Sequence, residues 1–490
     1  MSYGHFNLYT AILQDNSAIL YLYGHFLLAK NGICDVFCLQ KTAFVVIIVS
    51  MKRFFIDKLV AWKHQNGRKP LIVRGARQVG KTHSLKAFGA SHFRQYHYIN
   101  FEQYPELNAL FTKDLNPRRI IEALNFHLNT EINIAYDLVI FDEIQASPHA
   151  LTSLKYFCEE LPELALCGAG SLLGIHLTPT SFPVGKVDLL TLYPMSFEEF
   201  LEALHDKKSV DFIHQCDKKT ETFSIVHQHL FEKLKWYFIV GGLPEVVQLF
   251  VNNTTHLYNA FERVREKQHI LIKTYNADMA KHAGKANAMH IDRVWKAVSQ
   301  QLAQTQENGA NRFQFKGIIP NIDRYSRLAD VIDWLVAAEL VIKVPVIKTP
   351  AIPLSPNTQT SSFKLFMFDI GLLGAHSGLA PKNILDYDYG SYKGYFAENY
   401  VAQALTCNGI ESLYSWQENK SEVEFLFEYK GEILPVEVKS GQVTKAKSLQ
   451  KFCEKYHPFC RVILSAKPLC IDEQHKIHHY PLYLVSKILL

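Results

Sequence analysis

The sequence predicts an α/β chain: a parallel-sheet core built around a phosphate-binding loop, a helical middle, and a second, smaller α/β domain at the end. Three observations carry this. Gly75-Ala76-Arg77-Gln78-Val79-Gly80-Lys81-Thr82 is a GxxxxGKT loop between a short apolar run, residues 70–74, and a helix start at residues 84–88. From Pro70 to about Tyr193, apolar β-type runs alternate with helical stretches, which is the pattern of parallel βαβ units. Near the end, residues 421–428 alternate as a strand, turn at Gly431-Glu432 and return through residues 434–440, carrying acids and a lysine.

Composition sets the limits. The 490 residues are 48% hydrophobic and 20% charged, an ordinary globular balance with length for two to four domains. A net charge of +5 is too weak to imply nucleic acid by itself. The nine cysteines form no CxxC pair and no zinc-spaced Cys/His cluster, and the 22 histidines form no HExxH set, so a disulfide scaffold and a zinc site are both excluded. Reduced thiols in a cytoplasmic protein are expected.

Residues 1–50 look foreign to the rest of the chain. Their apolar runs, 18–23 and 43–49, fall short of the ~20 residues of a membrane span. No Lys or Arg precedes Lys30, so there is no signal-peptide n-region. Met51 is expected to be the functional start and 1–50 a mis-called extension; the rival is a genuine membrane-touching segment, and an intact peptide upstream of Met51 in the mass spectrum of the native protein would decide for it.

The core is expected over 51–195, with strands at 71–73, 97–100, 138–141, 164–168 and 187–192. A loop joining a buried strand to a helix N-terminus presents backbone N–H groups and the positive end of a helix dipole to an anion. Gly75 and Gly80 permit the tight turn, residues 75–82 as a whole cradle phosphate, Lys81 reaches the β/γ-phosphates, and the Thr82 hydroxyl is a Mg²⁺ ligand. Leu138-Val139-Ile140-Phe141 then delivers Asp142 and Glu143 at a strand end. Asp142 is the second Mg²⁺ candidate and Glu143 the candidate general base for an attacking water. The plain alternatives, an unliganded strand–helix turn and a solvated strand end, lose ground because the two motifs occur together. The expected cofactors are ATP and Mg²⁺.

After Pro194-Met195-Ser196 the periodicity becomes helical, over 197–204, 226–240 and 258–274, broken at Gly241-Gly242-Leu243-Pro244-Glu245. A helical lid or base is expected over 196–300. Over 301–380, a helix at 326–338, a strand at 339–346, a Pro/Ser/Thr-rich loop at 350–362 and a strand at 364–369 resemble a winged helix. Arg324, Arg327 and Lys348 are candidate DNA-phosphate contacts; with basic residues so sparse, a wing that packs on protein is the favoured reading.

Over 381–490, Glu398 near a helix start, Glu424 on a strand and Glu437-Val438-Lys439 on the returning strand form the arrangement of the PD-(D/E)xK, restriction-endonuclease-like fold. Alternation puts Glu437 and Lys439 on one face. Three acids would hold Mg²⁺ and Lys439 would activate water. The usual strand Asp is here Glu424, whose extra methylene displaces the carboxylate from the octahedral geometry Mg²⁺ demands, which argues against nuclease activity.

Together these pieces resemble a bacterial and archaeal family of AAA-type P-loop ATPases with a C-terminal domain of unknown function of PD-(D/E)xK-like fold. The resemblance runs from Lys52 almost to the end. It rests on 74–82, 141–145, 192–200 and 241–245, and on Glu398, 437–439 and Ser448-Leu449. It implies ATP binding and hydrolysis. It also makes Ser171, at the end of the fourth strand, the candidate for the polar residue that contacts the γ-phosphate, against a simple strand-end cap. Relatives often carry Gly-Arg where this chain has Gly185-Lys186, and Lys lacks the planar fork of Arg, which predicts slow turnover. Arg263, Arg265 and Arg293 are candidates for an arginine finger, and nothing singles one out. DNA and a protein client are the candidate partners, an oligomer fits the family, and no membrane is expected. Two rival functions stay open: a nucleotide-gated protein-binding switch with little turnover, and an ATP-regulated nuclease.

Overall fold

The computed structural model describes residues 51–171, 182–304, 312–322, 324–386, 392–441 and 446–489, and five short strands upstream of residue 50. The chain divides into two units, Met1–Lys52 and Arg53–Leu490. In the first, Tyr9–Ile12 pairs antiparallel with Ile33–Val36, and Ala18–Leu22 lies between His25–Leu28 and Ile47–Val49. The side chains of residues 1–50, and with them the expectation about this segment, lie outside the described residues.

The second unit starts with a five-stranded sheet: β1 Leu71–Arg74, β2 Tyr96–Asn100, β3 Leu138–Asp142, β4 Ala165–Ala169 and β5 Asp188–Thr191. The order is β5-β1-β4-β3-β2 and every pairing is parallel. β3 and β4 are buried throughout, as strands covered on both faces must be. Register brings the strand ends level: Thr191 lies opposite Arg74, Val73 opposite Ala169, Ala169 opposite Asp142, and Asp142 opposite Asn100. The connecting loops therefore open on one edge, where ligands of such sheets bind.

Helices come next, over Phe197–Ala203, Lys207–Gln215, Ser224–Val240, Pro244–Val251, Leu257–Ala283 and Lys285–Gln304. The break expected at residues 241–245 falls between the third and fourth of these, with Gly241 at φ 74° and Pro244 opening the next helix.

A second sheet has eight strands: β6 Val341–Ile347, β7 Thr358–Met367, β8 Tyr414–Glu418, β9 Ser421–Tyr429, β10 Glu432–Val438, β11 Arg461–Ser465, β12 Cys470–Asp472 and β13 Ile477–Pro481, in the order β7-β6-β8-β9-β10-β11-β13-β12. The expected wing is the β6–β7 hairpin. It does not stand free: Val346 and Ile347 pair in parallel with Ser415 and Trp416, so the hairpin extends the C-terminal sheet across the expected boundary at 380. Helix Lys447–Tyr456 packs Leu449 and Phe452 on Trp416, Val423 and Leu426. Between Tyr414–Leu426 and Trp416–Val423 the register shifts, leaving two residues of β9, Glu424 and Phe425, against one of β8. That is a β-bulge, which re-aims side chains, and it falls on Glu424.

Candidate functional site

The loop after β1 is held open by its glycines. Gly75 has φ 152° and a Cβ there would sit 2.3 Å from the Leu192 carbonyl oxygen, so no larger residue lets β1 pass β5 into the turn. Lys81 is the first residue of helix Lys81–His92, and its Nζ donates to the carbonyls of Gly75 at 2.8 Å and Ala76 at 2.9 Å. Burial lowers its pKa to about 8, against the opposing charges of Glu143, Glu339 and Asp142. Its ammonium stands at the loop, turned onto the loop's own backbone.

The structure brings Thr82 and Asp142, 60 residues apart in sequence, into contact: Thr82 Oγ1 donates to Asp142 Oδ2 at 2.8 Å. Tyr98 OH donates to the same oxygen at 2.7 Å, and Asn100 Nδ2 donates to Tyr98 OH at 3.1 Å, so β2 fixes the β3 acid from the other side. Glu143 leaves the strand in a left-handed conformation, φ 49°. Burial raises its pKa, and Gln145 Nε2 donates to its Oε2 at 2.5 Å, so the carboxylate is oriented beside the Asp142–Thr82 pair. Ser171 is buried two residues past β4, and among the described residues its Oγ has no hydrogen-bond partner. It lines a cavity of about 450 Å³ with Gly75, Ala76, Tyr193 and Glu339.

Sequence reading missed five supporting residues, all outside the loop. Arg53 donates to the Val79 carbonyl at 2.8 Å, to the Tyr193 carbonyl at 2.7 Å and to Glu199 at 3.1 Å, tying the loop to residues 192–200. Glu199 also forms a capping box with Ser196. Tyr275 OH donates to the Arg77 carbonyl at 2.7 Å, and Arg77 pairs with Asp278 at 2.8 Å. Glu339 lies 3.6 Å from Arg74 Nε and lines the same cavity as Gly75 and Ala76; burial pushes its carboxyl up to about 7 against Arg74 and Lys81. A lone Glu between a helix and a strand carries no motif; its left-handed φ of 58° marks it only in the structure.

Other candidates fare differently. Arg265 is buried between helices, donating to Gln268 at 2.8 Å and to the Gly371 carbonyl at 3.1 Å, and cannot reach outward as a finger. Arg263 bonds Asn253, and Arg293 is exposed. Lys186 pairs with Glu159 at 2.9 Å. Arg324, Arg327 and Lys348 are exposed.

The C-terminal residues do converge. Lys439 Nζ lies 2.5 Å from Glu437 and 3.7 Å from Glu424, and Glu424 accepts from the Val438 N–H at 3.1 Å. A residue outside the expected set joins them: Lys364 of β7, buried, pairs with Glu398 at 3.4 Å and with Glu422. Burial pushes Glu398 up to about 7 against the pull of Lys364, and burial with the Glu437 charge pushes Glu424 up to about 8. Burial opposes the charge of Lys364, but Glu422, Glu398 and Glu424 outweigh it and hold its pKa above the usual lysine value.

Comparison with known proteins finds three matched stretches, the second running across the expected boundary at 300. Residues 67–201 match an AAA domain family, residues 231–383 a domain of unknown function, DUF8612, and residues 393–483 another, DUF4143. The chain thus carries an AAA-type P-loop ATPase domain. No curated protein matches it. Among solved structures it is similar to the Walker-type ATPase PABY2304 of Pyrococcus abyssi, at 15% identity over 66% of this chain and 95% of that one, TM-score 0.42. It is also similar to C. elegans PCH-2, at 12% identity over 44% of this chain and 66% of that one, TM-score 0.26. Aeropyrum pernix ORC1 in complex with DNA aligns at 13% identity over 68% of this chain and 90% of that one, TM-score 0.25. No helix among the described residues is long and apolar enough to cross a membrane.

Proposed function

We propose that the chain binds ATP at residues 75–82 and hydrolyses it with Mg²⁺. The observation that carries this reading is the 2.8 Å contact between Thr82 and Asp142, which joins the phosphate loop to the β3 acid across the strand ends. Two hard oxygen donors at the mouth of an N–H-lined loop are what Mg²⁺ with a triphosphate takes. Thr82 and Asp142 would hold the ion, which supplies charge neutralisation at the β- and γ-phosphates. The loop N–H groups bind the phosphates, and Lys81, released from the Gly75 and Ala76 carbonyls, turns its ammonium to the γ-phosphate. Glu143, kept in place by Gln145, accepts the proton of a water aligned opposite the leaving oxygen; its raised pKa brings it nearer the working range of a general base. Ser171 donates its unused hydroxyl to the γ-phosphate or to that water.

The nucleotide-gated switch has support of its own. Tyr275 and Asp278 hold Arg77 of the loop from helix Leu257–Ala283, and Glu339 pairs with Arg74 just before the loop, so a loop that moves on binding ATP moves against the middle of the chain. The two readings separate on ATP binding and phosphate release measured together, on the full chain with and without duplex DNA, against Lys81→Ala. Release that the variant lacks supports the ATPase, and stimulation by DNA names a partner. ATP bound without release in the parent supports the switch, and no ATP binding at all sinks both.

A further inference from the structure

The C-terminal carboxylates meet the arrangement that implies a divalent cation, yet their donor set does not fit one. A Mg²⁺ site needs about six oxygens in near-octahedral array with water among them. Here Glu398 and Glu422 both face Lys364 Nζ, Glu437 faces Lys439 Nζ at 2.5 Å, and Glu424 is shared between Lys439 and the Val438 N–H. Among the described residues Glu437 Oε2 is buried without a partner, and one oxygen does not make a metal site. Among the described residues, no group of three or more His, Cys, Asp or Glu is placed to hold a metal ion. Space agrees with charge. The cavity at the Lys364 end of the cluster, lined by Lys364, Glu398, Arg312 and Tyr395, measures about 20 Å³, room for about one water and not for a hydrated cation.

We propose that Lys364 is the cation of this cluster: its ammonium takes the place of a divalent metal, and the endonuclease-like domain is a scaffold that fastens the β6–β7 hairpin rather than a nuclease. Carboxylates taken out of water must be compensated, and a buried lysine paired with two of them, Glu398 and Glu422, does so at fixed geometry. The lysine comes from β7, opposite Val344 of β6, while Glu398, Glu422 and Glu424 come from beyond residue 390. The ion cluster therefore fastens the hairpin, whose root carries Glu339 at the P-loop, to the last domain. Neither carboxylate nor ammonium needs a nucleotide for this, so the proposal stands or falls apart from the ATPase reading.

The test is Mn²⁺ binding followed by electron paramagnetic resonance on the full chain without nucleotide, in the parent, Glu424→Gln, Lys364→Met and Lys364→Met/Glu424→Gln. The parent should show no bound Mn²⁺ that Glu424→Gln removes. Lys364→Met should bind Mn²⁺ at least about tenfold more tightly than the parent and lose that gain in the double variant. Because Lys364→Met leaves buried charge, its melting temperature is read with and without Mn²⁺: recovery of the fold by the metal also supports the exchange of one cation for the other. A parent that binds Mn²⁺ through Glu424, or a Lys364→Met chain that neither gains Mn²⁺ nor is restored by it, overturns the proposal. So does Mg²⁺-dependent cleavage of DNA by the parent that Lys439→Ala abolishes.

Discussion

At the scale of the residue, the site divides into groups that a motif announces and groups that it does not. Glu143 is announced, and its role is testable: Glu143→Gln keeps the shape and the Gln145 contact region but removes the base, so kcat should fall at least about a hundredfold while ATP still binds. Unchanged turnover would remove Glu143 from the mechanism. Glu339 is unannounced and makes a pH prediction. Its carboxyl is raised to about 7 by burial, so between the ordinary carboxylate pKa and that value the folded state holds more protons than the unfolded one. Stability then falls as pH rises through this window, and the contribution of the protonated form is fully present only below it. Urea unfolding across pH 4 to 8 should show Glu339→Gln with a shallower fall than the parent, the two curves separating toward neutral pH. Parallel curves would mean that Glu339 is not held as described. ATP should also bind Glu339→Gln more tightly, because a carboxylate beside Ala76 repels phosphate.

At the scale of the element, two separate stretches of sequence, 192–200 and 241–245, prove to be one structure. The Met195 N–H donates to the Gly242 carbonyl at 2.7 Å, Tyr237 OH donates to the Met195 carbonyl at 2.6 Å, and the Gly242 N–H donates to Asp369 Oδ2 at 2.7 Å. The glycines let these chains touch: a Cβ on Gly241 would meet Asp369 Oδ1 at 2.4 Å, at φ 74° and ψ −167°, a conformation open to glycine almost alone. Gly241→Ala should therefore lower stability by about 2 kcal/mol or more, whereas Gly378→Ala, at φ 65° with nothing within 4 Å, should cost about 1 kcal/mol. Equal losses on chemical denaturation would show that contact with Asp369 is not what requires the glycine. The core strands were legible because each is a compact apolar run bounded by breakers, and 71–73, 97–100 and 138–141 all fall within strands. What sequence could not give was which sheet the β6–β7 hairpin joins. Hairpin pairing is local and leaves a period of two, but the Val346–Ser415 pairing spans a long loop and leaves none. The same holds for Lys364, which reads as one more residue of a wing until Glu398 and Glu422 close on it. Strict alternation also hid the bulge at Glu424, since an inserted residue shows only against its partner strand.

At the scale of the whole molecule, the P-loop is gripped from three directions by elements far along the chain: Arg53 with Glu199, Tyr275 with Asp278, and Glu339. Phosphate must take the backbone N–H groups that the loop offers, while Lys81 is engaged by the loop's own carbonyls and the Glu339 carboxyl stands beside the loop at Arg74. Binding a triphosphate thus has to change at least one of these contacts, and a ligand shifts a structure only by the difference in its interactions with two states. The element biased is the α-helix Ala329–Ala337 with β6, because Glu339 sits between them and β6 leads through Val344 to Lys364. The expected outcome is read by hydrogen exchange on Glu143→Gln, which keeps ATP unhydrolysed. ATP should slow exchange at 75–82 and change it at Val341–Ile347 and within Leu257–Ala283. Combining Tyr275→Phe with Glu339→Gln should leave the first change and erase the second. If the change is confined to the loop even in the parent, the grip is static support, and the middle of the chain holds the nucleotide site without reporting on it.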